Sequence, residues 1–200
     1  AQINTATSWV DGSVIYGTDS SRLAFLRTHA GGRLKTSDGN LLPFDTTNFP
    51  NGTTPRFPKS AFFLAGDTRA NQQIGLTTMQ ILWVREHNRL ADELAKAHPT
   101  WSDEQIFQRA RAIVIGELQA ITYNEYMPAL LGRENVPDYT GYNPSAVAQT
   151  SLTFATGAFR VPHSQVANDF LLLGPGGQPT GRVGLFQGSF NPPLFQNPNL

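Results

Sequence analysis

The sequence predicts a mainly α-helical fold, and three observations carry that reading. Residues 74–127 hold two stretches whose apolar positions recur at three- and four-residue steps. The second of them opens on a serine followed three residues later by a glutamine, the signature of a helix N-terminus. Elsewhere strand signals are few, and both ends of the chain are broken by glycine and proline.

Taken in order, residues 1–60 read as loop-rich, with one brief helix expected over 20–28. The first long helix sets Leu76, Met79, Trp83, His87, Leu90 and Leu94 on one apolar face. The second follows Pro99-Thr100-Trp101-Ser102, with Ser102 as N-cap and Gln105 closing a capping box. Ile106, Ala110, Ile113, Glu117 and Ile121 repeat on one side of it, and Pro128 is expected to stop it near Met127. The connection over 97–101 is short, so the two helices are expected to pack antiparallel. A third helix is expected over 151–170, with Pro162 inside it to kink it or end its first half. Residues 171–200 hold too much glycine and proline for helix or regular strand, so that tail must lie on something or move.

Composition narrows the function classes. A chain of 200 residues can bury about 70% of the surface its unfolded form exposes, so a single core stands without staples. With no cysteine, disulfides, zinc–thiolate sites, iron–sulfur clusters and a cysteine nucleophile are excluded. Fifteen basic and fifteen acidic side chains cancel, leaving no electrostatic footprint for nucleic acid or an anionic membrane. The longest apolar runs, Ala61–Ala65 and Phe170–Leu173, fall far short of the ~20 residues of a membrane span. No signal peptide is visible at the N-terminus.

Four histidines bound the search for metal chemistry. His29, in a polar Gly-flanked loop, reads as a solvated residue. His98, ahead of Pro99 at a helix end, reads as a capping group. His87 lies on the apolar stripe, where a hydrogen-bonded core histidine is the ordinary reading. No multi-histidine metal spacing occurs. His163 follows Phe159-Arg160-Val161-Pro162 in an apolar stretch and is expected to be buried or half-buried. Its chemistry fits a structural imidazole or the single axial ligand of a haem iron, and the sequence alone leaves both open.

Six ordered segments resemble the animal-type haem peroxidases of the peroxidase–cyclooxygenase superfamily. They are Gln2-Ile3-Asn4 through Asp11-Gly12-Ser13-Val14-Ile15-Tyr16-Gly17; Phe63-Leu64-Ala65-Gly66-Asp67-Thr68-Arg69; Leu76-Thr77; Arg85-Glu86-His87-Asn88-Arg89-Leu90-Ala91; Ile121-Thr122-Tyr123-Asn124-Glu125-Tyr126-Met127-Pro128; and Ala158-Phe159-Arg160 leading to His163. The absence of cysteine resembles a bacterial-type member. The resemblance implies one partial peroxidase domain over 1–200: a loop-rich part with a calcium loop (1–60), a helical haem-binding core (61–170) and the Gly/Pro-rich tail (171–200). It implies haem b and calcium as cofactors, hydrogen peroxide and a small phenol, amine or halide as substrates, and a secreted or extracytoplasmic location.

The resemblance also implies roles. His163 matches the proximal histidine that ligates the iron. Arg69 matches the distal arginine, which stabilises charge on the departing peroxide oxygen; from the residues alone, an ion pair with Asp67 or a neighbouring carboxylate is the plainer reading. Arg160, one turn before His163, matches the arginine that holds a haem propionate. Thr7, Asp11 and Ser13, with the Trp9 carbonyl, match the calcium loop, converging on one cation if the segment is extended; the same alternation is also an ordinary strand signature.

The departures are as specific. Gln72 stands where relatives place the glutamate that esterifies haem, and Gln73 where one has a methionine that bonds a vinyl group. The expected haem is therefore non-covalent, or only partly covalent, with Gln72 close to it. Pro162 replaces a glycine before the proximal histidine. The distal histidine and a further calcium aspartate are expected upstream of Ala1, and the asparagine behind the proximal imidazole beyond Leu200. The chain is thus expected to be an internal piece of a domain of about 500 residues, completed by the rest of that domain, against the ~150 that length alone suggests. Two other readings remain. The fatty-acid dioxygenase branch places a radical tyrosine where this chain has Arg160, and no tyrosine follows Tyr142. A peroxidase-like adhesion or binding module without haem is the other.

Overall fold

The computed structural model of the protein describes residues 6–196. Its elements are α1 (Ser13–Tyr16), α2 (Ser20–Leu26), α3 (Ile74–Ala97), α4 (Asp103–Ile121), α5 (Met127–Leu131), α6 (Leu152–Thr156), β1 (Asp169–Leu173), β2 (Pro179–Gly184) and α7 (Leu185–Gly188). The fold is mainly α, as expected. Gln2-Ile3-Asn4 and the final Asn197–Leu200 lie outside the described residues.

Local chemistry explains the helix starts. Asp19 caps α2 by accepting the Arg22 amide at 2.8 Å, and the helix expected over 20–28 is this one. Gln73 caps α3, its Oε1 accepting the amides of Gly75 and Leu76 at 2.6 and 3.3 Å. The α4 capping box forms as expected: Ser102 Oγ accepts the Gln105 amide at 3.3 Å and Gln105 Oε1 accepts the Ser102 amide at 2.9 Å. The two long helices pack on each other across the short connection.

The buried face of α3 is rotated from the apolar stripe. Leu76 and Met79 are exposed, Trp83 and Leu94 are half-buried, and Thr77, Ile81, Val84, His87, Asn88 and Ala91 line the interior. Polar members of that face are satisfied by loop backbone. Thr77 Oγ1 donates to the Ala70 carbonyl at 2.7 Å, and Asn88 pairs with both backbone groups of Leu34 at 2.7 and 3.0 Å. On α4 the interior takes Ile106, Phe107, Ala110 and Val114, while Ile121 is exposed.

Two boundaries differ from expectation. Pro128 does not end the helical course: residues 122–126 form a π-helical turn, in which the Met127 amide reaches the Thr122 carbonyl, and α5 continues to Leu131. Pro128 then falls just after the π-helical turn, at the start of α5, where the wider turn accommodates its ring. No single helix spans 151–170. Gly157 breaks α6, a 3₁₀ segment Ala158–Gln165 containing Pro162 follows, and strand β1 starts at Asp169.

The tail also departs from its reading, because residues 169–184 form an antiparallel hairpin pairing Asp169 with Gly184 and Phe170 with Val183. Its glycines and prolines sit where a hairpin tolerates them. Gly177 (φ 76°) lies in the turn closed by the Gly174 amide on the Gln178 carbonyl at 2.9 Å, and Pro179 opens β2.

The core is drawn from loops as much as from helices. Ile15, Tyr16, Leu26, Leu34, Leu42, Phe63 and Leu64 join Ile81, Val84, Phe107 and Val114 in one cluster. Asn71 clamps Phe63 as Asn88 clamps Leu34, Oδ1 accepting its amide at 2.9 Å and Nδ2 donating to its carbonyl at 2.8 Å. Each side-chain amide thus replaces a missing strand partner.

Candidate functional site

Arg69 lies in the tight turn between the buried segment 62–65 and α3. Its guanidinium donates Nε to Asp67 Oδ1 at 3.0 Å and Nη2 to Asp67 Oδ2 at 2.7 Å, and its backbone amide donates to Oδ1 at 2.8 Å. The arginine side chain is 70% exposed and the aspartate 17%. Burial pushes the Asp67 carboxyl up. The hydrogen bonds from Arg69, with the charges of Arg69 and Arg22, outweigh it and hold the group below the ordinary carboxylate value. The Asp67 hydrogen bond and charge raise Arg69 in return. The ion pair expected from the residues alone is therefore present, with the Nη1 edge directed away from it.

Gln72 is exposed one turn further on, its amide bonded to the Arg69 carbonyl at 2.9 Å, and Gln73 is committed to capping α3. Arg69, Gln72 and Leu76 are each exposed where the chain enters α3. The hairpin docks beside it: the Phe170 ring lies against Gly75, where an added Cβ would come within 2.9 Å of it, and the Phe190 amide bonds the Asn71 carbonyl at 3.1 Å.

His163 and Arg160 lie on the 3₁₀ segment that leads into β1. His163 is exposed, not buried as its apolar neighbours suggested, because Phe154, Phe159, Val161 and Val166 are exposed with it. Three residues per turn set Arg160 and His163 on the same face. Among the described residues, the Arg160 guanidinium has no carboxylate within salt-bridge distance.

Residues 6–12 are a series of bends, not an extended strand, and Gly12 turns the chain into α1 with φ 70°. Thr7 Oγ1 accepts the Trp9 amide at 3.1 Å and Asp11 Oδ1 accepts the Ser13 amide at 2.9 Å, so the hydroxyl and carboxylate turn inward on their own backbone. Trp9 itself is exposed. Among the described residues no group of three or more His, Asp or Glu is placed to hold a metal ion. No described helix is long and apolar enough to cross a membrane.

The remaining histidines have structural partners. His29 is exposed and bonds the Ala24 carbonyl at 2.8 Å. His98 ends α3 and stacks on Trp101 at 3.8 Å between ring centroids. His87 is fully buried between the Tyr16 hydroxyl and the Gly32 carbonyl. The residues that sequence reasoning missed are the two clamping asparagines and buried Arg22, which donates to the Ala65 carbonyl at 2.7 Å and to that of Pro50. No local sequence signal marks them, since Asn71, Asn88 and Arg22 each stand beside other polar residues.

Comparison with known proteins gives a consistent result. A family model described as animal haem peroxidase matches residues 1–199. Peroxinectin A from Dictyostelium discoideum is 40% identical over 169 residues, 82% of this chain and 32% of its own length. Human myeloperoxidase is 39% identical over 180 residues, covering 82% of this chain and 24% of its own. Among solved structures, peroxidase A from D. discoideum superimposes with a TM-score of 0.90 at 34% identity, over 98% of this chain and 39% of that one. The fatty acid alpha-dioxygenase of Oryza sativa shares the fold alone, at a TM-score of 0.72 and 21% identity. The chain spans well under half the length of each of these relatives.

Proposed function

The chain belongs to the animal haem peroxidase family, and from that premise we propose that it forms part of a haem centre reducing hydrogen peroxide and oxidising a small phenol, amine or halide. Haem b, when bound, supplies the redox iron for both half-reactions. The residues present fit it. One observation carries the reading: an exposed imidazole, His163, shares a 3₁₀ face with the Arg160 guanidinium, which pairs with no carboxylate among the described residues, amid apolar side chains left uncovered. That donor set suits a flat apolar macrocycle with an anionic edge.

In this reading His163 holds the iron through a neutral ring nitrogen, and Arg160 holds a propionate by charge-assisted hydrogen bonds. Arg69 offers its Nη1 edge to the oxygen on which negative charge develops as the peroxide bond breaks. Gln72 lies beside the macrocycle, where its amide cannot form an ester, so the haem is non-covalent or only partly covalent. Thr7, Asp11 and Ser13, with the Trp9 carbonyl, hold calcium once their inward hydrogen bonds are exchanged for the cation. The whole chain is one part of a single peroxidase domain.

Titration of the purified chain with haemin, followed by absorption, tests this. Saturation near one equivalent is expected, with weaker uptake in Arg160→Ala. In a chain extended at both ends to the whole domain, Arg69→Ala is expected to keep the haem but to slow peroxide-driven oxidation of a phenol by about 10²-fold or more. Haemin uptake no tighter than that of an unrelated helical protein, with no phenol oxidation by the extended domain, overturns the proposal.

A further inference from the structure

We infer that Asp67 is the positioning residue of Arg69, holding the guanidinium by two of its nitrogens so that a single edge, Nη1, is presented outward. The inference rests on the role proposed above for Arg69 and concerns how that role is made geometrically specific. An arginine side chain that is 70% exposed would ordinarily sample many rotamers and aim its charge diffusely. Here three hydrogen bonds from one residue end on one carboxylate, at 2.7, 2.8 and 3.0 Å. The fork leaves one orientation.

A positioning group must itself be fixed, and Asp67 is. Its backbone amide donates to the Val14 carbonyl at 2.9 Å. The preceding Gly66 packs so closely on the α1 backbone that an added Cβ would lie 2.5 Å from the carbonyl carbon of Ile15. On the other side, buried Arg22 pins the Ala65 carbonyl at 2.7 Å. The carboxylate is thus built onto the junction between α1 and the segment 62–65, and the Arg22 charge favours its ionised form. A plain surface ion pair needs none of this, and exposed pairs of that kind contribute little.

The test uses the whole chain, with selectively ¹⁵N-labelled arginine. In the wild type, the Arg69 Nε–H is expected to exchange with solvent about tenfold more slowly than that of Arg160, which has no carboxylate partner among the described residues, because it is held in a hydrogen bond. Asp67→Asn, which keeps the shape but loses the charge, is expected to bring Arg69 to the Arg160 rate; Asp67→Glu, which keeps the charge one methylene further out, is expected to fall between. In the haemin-loaded protein, cyanide association read from the Soret band is expected to slow about tenfold in Asp67→Asn and to recover partly in Asp67→Glu, following the loss of orientation. Unchanged Nε–H exchange in Asp67→Asn, or changed exchange with wild-type cyanide association, overturns the inference. A chain that takes up no haemin defeats the proposed function instead, while Nε–H exchange still decides whether Asp67 orients Arg69.

Discussion

The Tyr16 hydroxyl donates to Nδ1 of His87 across 2.9 Å, and both residues are fully buried. The assignment follows from the other side of the ring, where Nε2 lies 2.8 Å from the Gly32 carbonyl. A carbonyl can only accept, so Nε2 carries the proton and Nδ1 offers a lone pair. One neutral imidazole on α3 therefore joins α1 to the turn at Gly31-Gly32, with Phe107 of α4 against its ring at 5.2 Å.

That burial sets a pH dependence of stability. Desolvation, with the charges of Arg27, Arg33 and Arg111, pushes His87 down from 6.5 to about 4, against the Gly32 hydrogen bond that raises it. Below pH 6.5 the unfolded chain takes up the proton and the folded chain does not, so stability falls as pH drops through 6.5 towards 4. The full difference is about 3 kcal/mol. Glu117, whose carboxyl is raised by burial, works in the opposite direction. Urea unfolding between pH 7 and 4 should show the loss, and His87→Gln should flatten it.

The Gly31-Gly32 turn separates two costs of a side chain. Both residues have positive φ, 62° and 68°, but a Cβ at Gly32 would meet the Phe107 amide nitrogen at 2.6 Å, whereas none within 4 Å opposes one at Gly31. Gly31→Ala should cost about 1–2 kcal/mol, the left-handed penalty alone. Gly32→Ala should cost about 2–4 kcal/mol, since backbone must move as well. Thermal unfolding of the two variants measures the difference.

Asn88 offers a sharper test of the clamps. Asn88→Ala leaves the Leu34 N–H and C=O buried without partners, a loss of about 2–4 kcal/mol. Asn88→Asp keeps the acceptor for the Leu34 amide but sets a second acceptor against the carbonyl, so it should be no better than alanine at neutral pH. Denaturant midpoints of the two variants check this.

The long helices were legible in the sequence because their signals are local: Ser102 and Gln105 are three residues apart, and the apolar repeat of α4 includes Ile106 and Ala110. The rotation of α3 was not legible, because the groups that satisfy Thr77, His87 and Asn88 come from Ala70, Gly32 and Leu34. A count of apolar residues cannot see a distant carbonyl. The hairpin over 169–184 was hidden by composition, since glycine and proline argue against strand until a turn gathers them at its corner. For Arg69 the residues alone offer an ion pair with Asp67 or a neighbouring carboxylate, and the structure shows the pair with Asp67. The apolar neighbours of His163 predict a buried or half-buried imidazole, and those neighbours are exposed together with it.

The measurement that bears most directly on the central claim is a haemin titration of His163→Gly, with and without imidazole, beside the wild type. The claim predicts that the wild-type Soret and ligand-field bands are lost in the variant and restored when free imidazole enters the vacated position. Identical spectra for wild type and variant, unchanged by imidazole, would contradict it, because the iron would then be held by another residue or by none.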